Sequence, residues 1–192
     1  MVRRRKKPPP EEPIRRGVVE LVTGRRHLER VVQEGIRRAR ADLALATADL
    51  KAMLVPGPRG GRARSLLALL RELAEGGVEI RLLHSGIPSR AALEELEAPL
   101  PTRMQLRRCV RVHTKAVIVD ASKMYVGSAN LTGAGLGAKG ESRRNFEAGI
   151  WTEDPELIDP ILEWFDHLWE GRLCTGCDRR NVCPEPILTD LG

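Results

Sequence analysis

The chain has 192 residues, 42% of them apolar and 30% charged, and its 32 Lys and Arg against 26 Asp and Glu leave a formal charge of +6. That length suits one globular domain with a sizeable core and short extensions better than two full domains. No apolar run approaches the eighteen or so residues of a membrane span, and no hydrophobic segment follows the basic start, so a cytoplasmic protein without a membrane partner is expected.

The charge is concentrated at the amino end, where residues 1–40 hold 13 basic and 5 acidic side chains. Such a cluster attracts phosphate backbones or anionic lipid, although a solubilising tail explains Arg3 to Lys7 equally well. Residues 1–16 read as a basic, Pro-rich tail. Leu28, Val31, Val32 and Ile36 then recur at helical spacing among arginines, which predicts a basic amphipathic helix. A short buried strand is expected at 43–47, a Pro- and Gly-rich loop at 56–61, and a helix with Leu66, Leu69, Leu70 and Leu73 on one face, ending at Gly76 and Gly77. Residues 78–83 alternate as a strand, 88–97 form a short helix opened by Pro88, and 104–112 return as an extended segment. Strands at 115–119 and 123–126, a Gly-rich loop at 133–140, a strand near 146–151 and a helix carrying Leu157, Ile161, Leu162, Phe165, Leu168 and Trp169 complete the pattern. The last helix has two candidate starts, Asp154-Pro155 and Asp159-Pro160, each a cap followed by a first-turn proline. Alternating strands and helices give an α/β class.

The chemistry concentrates between residues 113 and 130. Side chains two apart on a strand share a face, so His113 and Lys115 point together, a base or nucleophile beside a cation. Asp120 lies an odd number of residues from Lys115 and is expected to support the following turn. Ser128 and Asn130 share a face again and add a hydroxyl and an amide, a donor set suited to a phosphoryl group.

This stretch resembles the phospholipase D superfamily, whose signature H-x-K-x4-D-x6-G-S-x-N is matched by His113, Lys115, Asp120, Gly127, Ser128 and Asn130. The resemblance extends over about residues 40–170, through Asn130-Leu131-Thr132, Asn145-Phe146-Glu147 and the closing Phe165 to Trp169. It implies a mixed sheet sandwiched between helices and a metal-independent reaction in which the motif histidine forms a phosphohistidine. A second histidine protonates the leaving oxygen and later activates water. Glu147 occupies the place of the family's acid that holds the histidine Nδ1. Only one His-x-Lys is present, so the resemblance implies a homodimer sharing one site, as in the small single-motif bacterial endonucleases of the family. His84 is expected as polar lining near the site, His27 and His167 on helix surfaces, and the three tryptophans in the core.

Cys174, Cys177 and Cys183 form Cys-x2-Cys-x5-Cys in a carboxyl-terminal segment, 172–192, that follows the catalytic domain of 17–171. The spacing is similar to the final part of the iron–sulfur motif of RecB-like nucleases, whose remaining cysteine lies far upstream. A structural 4Fe–4S cluster is the leading expectation, with Zn²⁺ as the alternative and reduced free thiols as the plain reading. Cys109 is the candidate fourth ligand, with His167 the substitute. These features together favour a nucleic-acid phosphodiesterase, DNA first. A lipid phosphodiesterase and a non-cleaving nucleic-acid-binding subunit are the competing functions.

Overall fold

The computed structural model describes residues 18–57 and 61–183, so the basic tail at 1–16, part of the 56–61 loop and the end of the Cys-rich segment lie outside the described residues. Seven strands make one sheet: β1 (Val19–Thr23), β2 (Asp42–Thr47), β5 (Glu79–His84), β6 (Met104–Arg108), β7 (Lys115–Val119), β8 (Lys123–Gly127) and β9 (Ala148–Thr152), in the order β1-β9-β8-β7-β2-β5-β6. β3 (Leu54–Val55) and β4 (Arg64–Ser65) form a separate small ladder. β2, β5 and β6 run parallel, while β7, β8, β9 and β1 are antiparallel to their neighbours, so the sheet is mixed, as the family resemblance implies.

The two-residue period of the strands divides the core into two layers. Leu43 and Leu45 of β2, Ile80 and Leu82 of β5, and Val117 and Val119 of β7 pack on one face with α1 (Leu66–Glu75), Ala92 of α2 (Arg90–Leu96) and Val31, Val32 and Ile36. Ala44, Ala46, Leu83, Ala116 and Ile118 face the other way, onto Ile158, Phe165 and Trp169 of α3 (Pro155–Trp169). Arg81 reaches this second layer too, where it is ion-paired to Asp166 at 2.6 Å and lies over the Phe165 ring. The small residues of β2 on the α3 side leave room for those large rings.

Local chemistry explains where the helices begin. The Ser65 hydroxyl caps α1 by accepting the Ala68 N–H at 2.9 Å. Ser89 caps α2, which places Pro88 before the helix and not in its first turn. For α3 the first of the two candidate starts is used: the Asp154 carboxylate accepts the Glu156 N–H at 3.0 Å and Pro160 falls inside the helix. Starting there buries Ile158 fully against the sheet and leaves Leu157, grouped in the sequence with the apolar residues of this helix, outward at 40% exposure. The segment expected as a basic helix winds as a π-helical stretch, His27–Gly35, followed by a tight turn. Three of its arginines are ion-paired: Arg25 with Glu29 at 3.2 Å, Arg30 with Glu20 at 3.1 Å and Glu34 at 2.6 Å, and Arg26 with Glu20.

Asp120 closes the β7–β8 turn in a left-handed conformation, φ +50°. Its carboxylate accepts backbone N–H groups from Arg40 at 3.0 Å, Ala41 at 2.8 Å and Asp42 at 3.2 Å, clipping the turn to the start of β2. Charge-assisted bonds of this kind contribute about 1.5–3 kcal/mol. Asp120→Ala is therefore expected to lower the thermal midpoint, with a loss of about 2–3 kcal/mol in denaturant unfolding.

Candidate active site

The register of three central strands assembles the site. Lys115, the first residue of β7, lies opposite Gly127, the last of β8, and Gly127 lies opposite Gly149 near the start of β9. One row across the sheet thus brings together the His113 segment, the Ser128–Asn130 segment and the chain entering β9 at Glu147. Gly127 and Gly149 are required there by a close approach. A Cβ on either would fall 2.5 Å from the buried Tyr125 side chain.

His113 precedes β7 and is exposed, while Lys115 is only 8% exposed. The Lys115 ammonium donates to the His113 carbonyl at 2.6 Å and lies 3.1 Å from Nδ1 and 3.3 Å from Nε2 of the ring. The ammonium thus stands against the imidazole ring with its charge fixed by the backbone carbonyl. Burial lowers the Lys115 pKa below the ordinary lysine value, and the charge of Glu147 partly opposes that shift.

Asn130 is fixed from the other side of the sheet. Its Oδ1 accepts N–H bonds from Ala48 and Asp49, both at 3.1 Å, at the end of β2. The buried Thr47 hydroxyl donates to the Asp49 carbonyl at 2.8 Å and accepts the Leu131 N–H at 3.1 Å, locking the same junction. This leaves the Asn130 amide nitrogen as the group able to donate to an anion. Ser128 is exposed; its hydroxyl bonds the Glu147 carboxylate and accepts the Ala148 N–H at 3.1 Å.

Glu147 departs from the expected role. Its carboxylate accepts from Ser128 and, at 3.0 Å, from Asn145, and makes no hydrogen bond to His113 among the described residues. Its negative charge instead acts on Lys115, Tyr125 and His27. Asp120 is not brought to this group either: five strand residues at ~3.3 Å each separate it from the Lys115 end of β7. His27, expected on a surface, is fully buried, with Nδ1 3.0 Å from the Gly24 carbonyl and Nε2 3.0 Å from the Tyr125 hydroxyl. Burial pushes the His27 pKa down, so the ring is held neutral, and pushes the Tyr125 phenol up to about 12. The Tyr125 hydroxyl also accepts the Ala129 N–H at 3.3 Å, tying this core pair to the Ser128–Asn130 turn. Thr47 and Tyr125 were not singled out in the sequence, since their partners lie far away in the chain or in an unforeseen core. His84 is buried at the end of β5, with Nδ1 2.9 Å from the Gly86 carbonyl, and His167 lies on α3 near Glu163. Cys109 falls in the turn after β6, where its carbonyl accepts the Val112 N–H at 3.0 Å.

An imidazole beside a nearly buried cation, with hydroxyl and amide donors on adjacent strand ends, is a donor set with the chemistry to hold a phosphoryl group. The protein belongs to the phospholipase-D-like family: residues 32–169 match the family described as cardiolipin synthase, PLD-like domain. Its fold is that of NucT from Helicobacter pylori, at 15% identity with a TM-score of 0.58 over 80% of this chain and 96% of that one. Nuc from Salmonella typhimurium, a phospholipase D family member, is similar at 18% identity and a TM-score of 0.57, over 80% and 94% of the two chains. The mitochondrial cardiolipin hydrolase of Danio rerio is 33% identical over 75 residues, 39% of this chain and 30% of that relative.

Lys115→Met removes a charge placed to neutralise developing negative charge, and kcat for phosphodiester cleavage is expected to fall on the order of 10²–10³-fold. Because burial lowers the Lys115 pKa, the wild-type alkaline limb should begin below the usual lysine range, and Lys115→Arg should move that limb upward. Rate against pH for the two proteins measures both effects.

Proposed function

We propose that the protein is a metal-independent phosphodiesterase that cleaves nucleic acid, DNA in the first instance, at a site shared by two copies of the chain. The observation that carries this reading is the exposure of one motif histidine, His113, beside Lys115. Of the chain's other three histidines, His27 is buried on Tyr125 and His84 is buried with Nδ1 at the Gly86 carbonyl, while His167 lies on α3 outside the cavity that His113 lines. A reaction needing two imidazoles then takes the second from a second copy.

In this mechanism one His113 attacks phosphorus, and the P–O bond to the leaving strand breaks as the N–P bond forms. The imidazolium of the partner protomer's copy of this residue gives its proton to the departing oxygen. That ring, now neutral, takes a proton from water as the hydroxide oxygen attacks the phosphohistidine. The N–P bond breaks and the first imidazole is restored. Lys115 and the Asn130 amide bind the non-bridging oxygens throughout, and Ser128 completes the donor set once a phosphate competes for its hydroxyl. The net positive charge and basic amino end support an extended polyanionic substrate.

A lipid substrate is the second reading, favoured by the partial match to a cardiolipin hydrolase. No helix among the described residues is long and apolar enough to cross a membrane. The deciding experiment offers labelled single- and double-stranded DNA and RNA, and cardiolipin vesicles, to wild type and His113→Ala in excess EDTA. DNA cleavage by wild type, reduced on the order of 10³-fold or more in His113→Ala, is the expected result. Vesicle hydrolysis alone would make the protein a lipid phosphodiesterase, and salt-sensitive DNA retention without cleavage would make it a binding subunit.

A further inference from the structure

All four cysteines of the chain converge on one place. Cys109, Cys174, Cys177 and Cys183 line a single cavity of about 560 Å³ that also has His113 and Trp164 on its wall. They come from two segments far apart in sequence: the turn after β6, anchored by the Cys109 N–H on the His84 carbonyl at 2.9 Å, and the segment after α3. None of the four is in a disulfide.

The carboxyl-terminal segment is folded without a core of its own. It turns back at Gly171, φ +75°, and continues as a series of tight turns closed by Cys174 N–H to Gly171 O at 2.9 Å, Cys177 N–H to Cys174 O at 3.2 Å, Arg180 N–H to Cys177 O at 3.1 Å and Cys183 N–H to Arg180 O at 3.4 Å. Each cysteine opens or closes one of these turns. Leu173 and Val182 are 43% and 69% exposed, so apolar burial supplies little to hold the segment against the sheet. A thiol-bound centre would add a cross-link to the hydrogen bond of Arg111 on the Cys177 sulfur at 3.4 Å.

The four thiols on one cavity wall suit a metal cross-link. Zn–S bonds of about 2.3 Å would draw four tetrahedral sulfurs to about 3.8 Å from one another. Among the described residues no three His, Cys, Asp or Glu side chains stand close enough to hold a metal ion as placed, so either centre requires the thiols to close inward. Four cysteines on the wall of one cavity match the ligand count of a 4Fe–4S centre, whose own volume would draw the thiolates onto it.

We propose that Cys109, Cys174, Cys177 and Cys183 ligate a 4Fe–4S cluster that staples the carboxyl-terminal segment to the turn immediately before His113. Cys109 lies four residues upstream of His113, so the cluster fixes the approach of the nucleophile-bearing segment and closes one wall of the cavity beside it. The site stands on the thiols and does not depend on whether the substrate is nucleic acid or lipid.

The test is anaerobic purification of the full chain, followed by iron, sulfide and zinc analysis, visible absorbance, and electron paramagnetic resonance after dithionite reduction. About four iron and four acid-labile sulfide per chain, with the broad visible absorbance of thiolate-bound iron, is the expected result. Cys109→Ser, Cys174→Ser, Cys177→Ser and Cys183→Ser should each lower the iron content at least twofold, whereas His167→Gln should retain it. Stoichiometric zinc without iron, or no metal after anaerobic isolation and reconstitution with iron and sulfide, overturns the cluster. Full iron in Cys109→Ser, or its loss in His167→Gln, overturns the ligand set. Wild-type stoichiometry and resonance decide the central claim even where a serine variant fails to fold.

Discussion

The site depends on the register of the antiparallel strands β7, β8 and β9. Lys115, Gly127 and Gly149 stand in one row, and each borders a loop that carries a polar group. A slip of one residue would turn Lys115 to the other face and separate the Ser128 hydroxyl from Glu147. The register is held by burial on both sides, with Val117 and Val119 in one core layer and Ala116 and Ile118 in the other. It is also held by Tyr125, whose ring occupies the space that glycines at 127 and 149 leave open.

His113 and Lys115 differ in solvation. The lysine is nearly buried and hydrogen-bonded to the backbone of the residue it serves, so its charge is fixed before substrate arrives. The histidine is exposed and able to meet phosphorus. A cation already desolvated and in place loses little reorganisation energy as negative charge develops. Asn130 is fixed the same way, its oxygen satisfied by the N–H groups that follow β2, so its nitrogen is presented without an entropic search. Glu147 adds negative potential beneath the cluster. This offsets part of the burial cost of Lys115 and leaves an acceptor for the Ser128 hydroxyl when no phosphate is bound.

The basic helix segment contributes differently from its appearance in the sequence. Arg25, Arg26 and Arg30 are met by Glu20, Glu29 and Glu34, whereas Arg38 and Arg40 are exposed and in no ion pair among the described residues. The pairing joins β1, the edge strand beside β9, to the helical layer. β1 itself was not foreseen: Val19 and Leu21 are exposed, and a short edge strand without a buried alternation leaves no periodic signal.

The sequence by itself determined the α/β class, the central strands, the apolar face and termination of α1, and the spacing of His113, Lys115, Ser128 and Asn130, because each is a matter of local period or turn chemistry. It also marked Asp120 as a turn support, since its parity from Lys115 is a property of the strand alone. Tertiary structure decided what depends on partners distant in the chain. Glu147 meets Ser128 and Asn145 and not His113, because the hydrogen bonds around the β9 entrance satisfy its carboxylate first. His27 is buried because the only tyrosine, 98 residues away, offers its hydroxyl inside the core. The choice of Pro155 over Pro160 as the start of α3 followed from the burial of Ile158 against the sheet. Cys109 joined the distant cysteines around one cavity because the turn after β6 and the turn after α3 end at the same edge of the fold. Periodicity and caps act within a few residues, whereas burial and hydrogen-bond satisfaction are settled by whatever the finished sheet brings near.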